Sequence, residues 1–124
     1  MGKKKILVVD DEPNIRLIVR RLLGKDYIVL EANDGEEAVD AARKQKPDLI
    51  LMDIMMPRMD GYSACHTIRT GQGTKTIPVV MLAAVGYELN KKLSKEVGAS
   101  GYITKPFSLQ DLLDTIGKFL IKDK

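Results

Sequence analysis

Short apolar runs that stop at acids alternate along this chain with stretches whose apolar residues recur at helical spacing. Ile6-Leu-Val-Val9 is an unbroken apolar run that ends at Asp10-Asp11. A run this short, bounded by polar residues, predicts a strand buried on both faces. Ile15, Ile18, Val19 and Leu22 then fall at i, i+3, i+4 and i+7, the spacing of an amphipathic helix. Pro13 near its start and Gly24 at its end are the expected punctuation. Tyr27 to Ala32 predicts a second strand. Asp34 or Gly35 opens a second helix with Ala38, Ala41 and Ala42 inward, and Pro47 ends that connection. Leu49 to Met52 is a third apolar run, closed by Asp53. After a loop through Met55, Met56 and Met59, Asp60 is a candidate N-cap for a helix that buries Ala64, Cys65 and Ile68. Gly71-Gln-Gly73 marks a turn, and Ile77 to Ala83 predicts a fourth strand. A polar helix from about Tyr87 to Val97 ends at Gly98. Gly101 to Thr104 is a short fifth strand leading into Lys105-Pro106. Leu109, Leu112, Leu113, Ile116 and Leu120 share one face of a last helix.

Five strands alternating with five helices predict an α/β fold, with right-handed crossovers and a doubly wound parallel sheet covered on both faces. In such sheets functional groups gather at the carboxyl ends of the strands, beside a topological switch point.

Composition narrows the setting. At 124 residues the chain has room for one core. With 44% hydrophobic and 30% charged residues it is a folding chain rather than a disordered one. The net charge of +3 is mild and sits partly at the ends, in Lys3-Lys4-Lys5 and around Lys122 and Lys124, so it predicts no nucleic-acid stripe. A single cysteine, Cys65, excludes an internal disulfide and a cysteine zinc site, and suits a reducing cytoplasm. No apolar run reaches the roughly 18 residues of a membrane span, and Ile6 to Val9 is too short for a signal sequence. The expectation is a cytoplasmic protein with no membrane contact.

The strand ends carry the candidate chemistry. Strand one ends in Asp10-Asp11, strand three in Asp53, strand five in Lys105. Acids also favour helix N-termini, so the Asp pair alone could simply start the following helix. Three carboxylates on one rim would repel one another and raise one another's pKa. A hard divalent cation removes that cost. Mg²⁺ fits, because it takes oxygen ligands, often only one or two carboxylates plus water.

Taken together, Ile6-Leu-Val-Val-Asp-Asp-Glu12, Pro47-Asp-Leu-Ile-Leu-Met-Asp53, Met56-Pro-Arg-Met-Asp-Gly61, Pro78-Val-Val-Met81 and Gly98-Ala-Ser-Gly-Tyr-Ile-Thr-Lys-Pro-Phe107 resemble the receiver domain of response regulators, of the CheY type. The resemblance covers about residues 4 to 121 without insertion, so the expectation is one receiver over 1–124. It implies a flavodoxin-like, CheY-like sheet of order 2-1-3-4-5. It implies that Asp53 accepts a phosphoryl group from a phosphohistidine or a small acyl phosphate. It further implies that Asp11 and Asp53 bind Mg²⁺ directly, Asp10 through water, and the backbone carbonyl of Met55 completes the set. Lys105 would pair with the phosphoryl oxygens, aimed inward by a cis Lys105-Pro106 bond. The expected partners are a sensor histidine kinase or a histidine phosphotransfer protein, and a downstream protein or second receiver. These would dock on the Tyr87–Val97 helix, the fifth strand and the last helix, where Lys91, Lys92 and Lys95 could face Asp111 and Asp114 of a neighbouring copy. The chain ends just after the last helix, so no output domain is expected.

One position departs from the family. Where it usually has Thr or Ser, 30 residues beyond the acceptor, this chain has Ala83. The aromatic partner of that switch is present as Tyr102. Thr104 is a poor substitute for the hydroxyl, since as Lys105's neighbour it should point to the other face of the strand. The result is a complete acceptor site with a weakened switch, or else a receiver acting as a scaffold or phosphate sink. A Mg²⁺-dependent aspartyl phosphatase would place its nucleophile in an Asp-x-Asp motif after strand one, unlike Asp10-Asp11. An FMN carrier would need a hydroxyl-rich loop where this chain has Asp10-Asp-Glu-Pro13. His66 reads as a surface residue, Cys65 as a small core residue, and Met52 and Met81 as core.

Overall fold

The computed structural model describes residues 2–56, 58–83 and 95–120. In chain order the elements are β1 (Lys5–Val9), α1 (Pro13–Leu23), β2 (Ile28–Ala32), α2 (Gly35–Gln45), β3 (Leu49–Asp53), α3 (Gly61–Thr70), β4 (Val79–Ala83), β5 (Gly101–Thr104) and α4 (Leu109–Leu120). The five strands form one sheet in the order β2-β1-β3-β4-β5, every neighbouring pair parallel. The order reverses between β1 and β3, which makes their carboxyl ends the switch point.

The register explains the two cores. Side chains alternate along a strand, and paired residues of parallel strands project to the same side. Leu7, Val9, Ile50, Met52, Val79, Met81 and Ala83 therefore share one face, which packs against Ala38, Val39 and Ala42 of α2 and Ala64, Cys65 and Ile68 of α3. Ile6, Val8, Leu49, Leu51, Val80, Leu82 and Ile103 share the other, covered by Val19 and Leu23 of α1 and Leu112 and Ile116 of α4. Every residue of β3 and β4 is buried, which is why these strands read as unbroken apolar runs. Each large side chain so buried contributes about 1.5–3 kcal/mol relative to exposure.

Three local readings change. In α1 the inward residues are Val19 and Leu23, flanked by half-buried Ile15 and Leu22, while Ile18 is 45% exposed. Ile18 lies about 100° around the helix from Val19, beyond the edge of the sheet contact. In α2 Val39 joins the core and Ala41 is only partly covered. In α4 Leu112 and Ile116 are buried, but Leu109 and Leu113 are exposed. The helix expected over 87–97 lies mostly outside the described residues, so four helices are seen among them rather than five. Its expected stop is in place: Gly98 has φ +90 and its N–H donates to the Lys95 carbonyl at 3.2 Å.

Candidate functional site

Parallel strands put all their carboxyl ends on one rim, so the sequence neighbours of those ends meet there. Asp10 and Asp11 follow β1, Asp53 is the last residue of β3, and Lys105 follows β5. The Lys105 backbone N–H donates to the Ala83 carbonyl at 2.7 Å, continuing the β4–β5 ladder one step further, and the Lys105-Pro106 bond is cis. The Lys105 ammonium then reaches back across β4 to donate to Asp10 Oδ2 at 3.0 Å and Asp53 Oδ1 at 3.1 Å.

The acids differ in setting. Asp10 is fully buried, and its other oxygen accepts the Glu12 N–H at 3.0 Å, so both of its carboxylate oxygens are engaged. Asp53 is 8% exposed. Asp11 faces solvent. One carboxylate oxygen from each of the three lies within 4.8 Å of the other two. Burial, reinforced by the Asp10 charge, pushes the Asp53 carboxyl up to about 6, with Lys105 pulling it back. Asp53 is therefore mainly ionised at neutral pH, in a cluster with more negative than positive charge. The donors are all oxygen, the chemistry suited to a hard divalent cation.

Met55, two residues beyond Asp53, is 79% exposed. Ala83 ends β4, is 3% exposed, and pairs in register with Thr104. Thr104 is solvent-exposed and, with Tyr102, Asp111, Asp114 and Thr115, lines an open groove between β5 and α4. Tyr102 is 39% exposed. His66 is exposed on α3, whereas Cys65 is buried beside the Val97 carbonyl, with burial pushing its thiol up to about 11. Met52 and Met81 are fully buried.

Two side-chain networks went unread in the sequence. Arg16 donates from Nη1 to the Asp10 carbonyl at 2.7 Å and from Nε to Glu31 at 2.9 Å, tying α1 to β2 and to the backbone of the acidic turn. Asp34 N-caps α2 by accepting the Glu37 N–H at 2.9 Å and also binds the Arg58 guanidinium. The Glu37 N–H, with Arg58 adding to it, holds the Asp34 carboxyl below the usual carboxylate range. An Asp three residues before a Glu marks the cap, but nothing local in the sequence marks Arg58 as its partner.

Comparison with known proteins bears on the family and the fold. Residues 6–117 match the model of the response regulator receiver domain family. The chain is 44% identical over 110 residues to the alkaline phosphatase synthesis transcriptional regulatory protein PhoP of Bacillus subtilis, covering 88% of this chain and 45% of that protein. It thus spans less than half the length of the curated relatives it matches. Among solved structures it is similar to the chemotaxis protein CheY4 of Vibrio cholerae, with TM-score 0.90 and 36% identity over 96% of this chain and 100% of that one. It is also similar to the receiver domain of the sensor histidine kinase PA1611 of Pseudomonas aeruginosa, with TM-score 0.88 and 30% identity over 95% of this chain and 98% of that one. That structure has a magnesium ion coordinated in the active site cleft.

Proposed function

The chain belongs to the response regulator receiver domain family of two-component systems, and from that premise we propose that it accepts a phosphoryl group on Asp53 and signals by docking a protein partner. The observation that carries this reading is the Lys105 ammonium held between Asp10 and Asp53, with Asp11 completing an oxygen cluster on the same rim. Asp53 Oδ1 is engaged by Lys105, which leaves Oδ2 to attack phosphorus in a phosphohistidine or small acyl phosphate. A P–O bond to Asp53 forms as the bond to the donor's nitrogen or oxygen breaks; a histidine donor leaves as neutral imidazole after taking a proton from solvent, and an acyl donor leaves as its carboxylate with no proton needed. Lys105 then shifts from the carboxylates to the phosphoryl oxygens, offsetting charge that Asp53 alone would repel.

Mg²⁺ is the cation we assign to the rim. Bound there, it would neutralise charge on the transferring phosphoryl group. Asp11, being exposed, and Asp53 would hold it directly, with the Met55 carbonyl. Asp10, whose oxygens already serve Lys105 and Glu12 N–H, would act through water. The PA1611 receiver supports this choice, since its cleft holds magnesium.

The phosphodonor would be a sensor histidine kinase or a histidine phosphotransfer protein. Output would pass through the groove of β5 and α4 around Tyr102, to a downstream protein or a second receiver. Much of the helix expected to share that face, including Lys91 and Lys92, lies outside the described residues. We place the domain in the cytoplasm, as a signalling module with no direct nucleic-acid or membrane contact. Among the described residues no helix is long and apolar enough to cross a membrane. A second reading, a scaffold or phosphate sink, is favoured by one feature: Ala83, buried at the end of β4, has no hydroxyl to grip a phosphoryl oxygen. Incubation with Mg²⁺ and a small acyl phosphate, followed by intact mass, tests the main reading. Covalent gain of one phosphoryl group supports it, and no gain argues against it.

A further inference from the structure

The loop between β3 and α3 carries the Met55 carbonyl, and three contacts seat it. At one end Gly61 donates its N–H to the Ile54 carbonyl at 2.9 Å, and a Cβ at Gly61 would lie 2.2 Å from the Asp53 carbonyl oxygen. At the other, the Gly35 N–H donates to the Met59 carbonyl at 3.1 Å, and a Cβ at Gly35 would lie 2.3 Å from that oxygen. Between them Arg58 reaches Asp34, whose carboxylate is 1% exposed and whose other oxygen already caps α2. Glu36 stands 4.0 Å from the same guanidinium. Arg58 adopts φ +65, a left-handed conformation unfavourable for a residue with a long side chain and kept only where its surroundings hold it.

We propose that the Asp34–Arg58 ion pair is a clamp that fixes the β3–α3 loop on the N-terminus of α2, and that by placing the Met55 carbonyl it sets the affinity of the acidic rim for a divalent cation. This rests on the reading of the rim given above. Arg58 is a positioning residue, acting through the loop and not through the ligand. Its charge alone works the other way: a guanidinium near three carboxylates weakens cation binding, so removing it would tighten binding if charge were all that mattered. A clamp predicts the opposite sign, and that separates the two accounts.

The test compares the full chain with Arg58→Asn, Asp34→Asn and the double variant. Asparagine tolerates the left-handed conformation at 58 and remains a good N-cap at 34, so both changes remove the ion pair and spare the local backbone. Mg²⁺ affinity is measured by calorimetric titration, and backbone amide exchange of Gly35 and of the non-proline residues among 54–60 is measured with the metal chelated. Arg58→Asn is expected to weaken Mg²⁺ binding roughly tenfold, the low end of the range for groups that orient metal ligands. Gly35 exchange is expected to accelerate, the double variant to be no weaker than either single one, and Arg58→Lys to recover part of the affinity. Unchanged or tighter Mg²⁺ binding in Arg58→Asn overturns the clamp, even if the variant melts lower, because that leaves Arg58 a purely structural role. Failure of the unaltered protein to bind Mg²⁺ overturns the reading of the rim itself.

Discussion

Lys105 and Asp53, 52 positions apart in the chain, meet at 3.1 Å, because β5 and β3 run in the same direction and end on the same rim. The same ammonium holds the buried Asp10 at 3.0 Å. Removing it leaves two carboxylates facing each other with little water between them. Lys105→Met should therefore destabilise the metal-free protein by about 3 kcal/mol, as for other one-sided deletions of a buried pair. Urea unfolding in chelator measures this. Adding Mg²⁺ should recover part of the loss, since the cation replaces the missing positive charge.

Asp53 should make the metal-free protein less stable as pH rises through its titration. Its folded pKa is raised to about 6, from the ordinary carboxylate value of 3.8 in the unfolded chain. Between those values the native state holds a proton that the unfolded state has lost, so its stability falls with rising pH, and the full penalty applies above the upper value. Asp53→Asn removes the penalty. The variant should match the parent near pH 3.5 and exceed it by about 1–2 kcal/mol at pH 8, once solvent screening is allowed for. Thermal melts across that range in chelator check the sign.

Mg²⁺ should raise the melting temperature, because it binds the folded rim and not the unfolded chain. Asp11→Ala should reduce that rise more than Asp10→Ala. Asp11 is exposed and able to take the metal directly, whereas Asp10 already serves Lys105 and the Glu12 N–H. Equal loss in the two variants would contradict the assignment of direct and water-mediated ligands.

The strands and the acidic rim were legible because both are local in sequence. β3 and β4 are buried on both faces, and each appears as an unbroken apolar run. The rim residues are those that immediately follow or end a strand, and parallel topology alone brings Asp10, Asp11, Asp53 and Lys105 together. Helix faces were less legible. Periodicity places Ile18 on an apolar stripe but does not say where the sheet ends, and Ile18 falls outside it. Arg16–Glu31 and Asp34–Arg58 were not legible at all, since each joins two polar residues from different elements, and polar residues look alike until the fold pairs them.

Phosphorylation should remodel the β5–α4 face less than it would with a hydroxyl at the end of β4. Ala83→Thr places that hydroxyl at the end of β4, the strand between β3, which ends in Asp53, and β5, which leads into Lys105. A charge-assisted hydrogen bond contributes about 1.5–3 kcal/mol, enough to shift a two-state population by roughly one to two powers of ten. Backbone amide shifts around Tyr102 and along α4, with and without a phosphoryl mimic, should be larger in Ala83→Thr than in the parent. Equal shifts would mean that another contact drives the response.

Intact mass after incubation with Mg²⁺ and a small acyl phosphate, followed by mapping of the label, tests the central claim most directly. The predicted result is one phosphoryl group on Asp53, lost on addition of chelator before the donor, and absent from a folded Asp53→Asn variant. Full labelling of Asp53→Asn, or a label that maps to His66, would contradict the account.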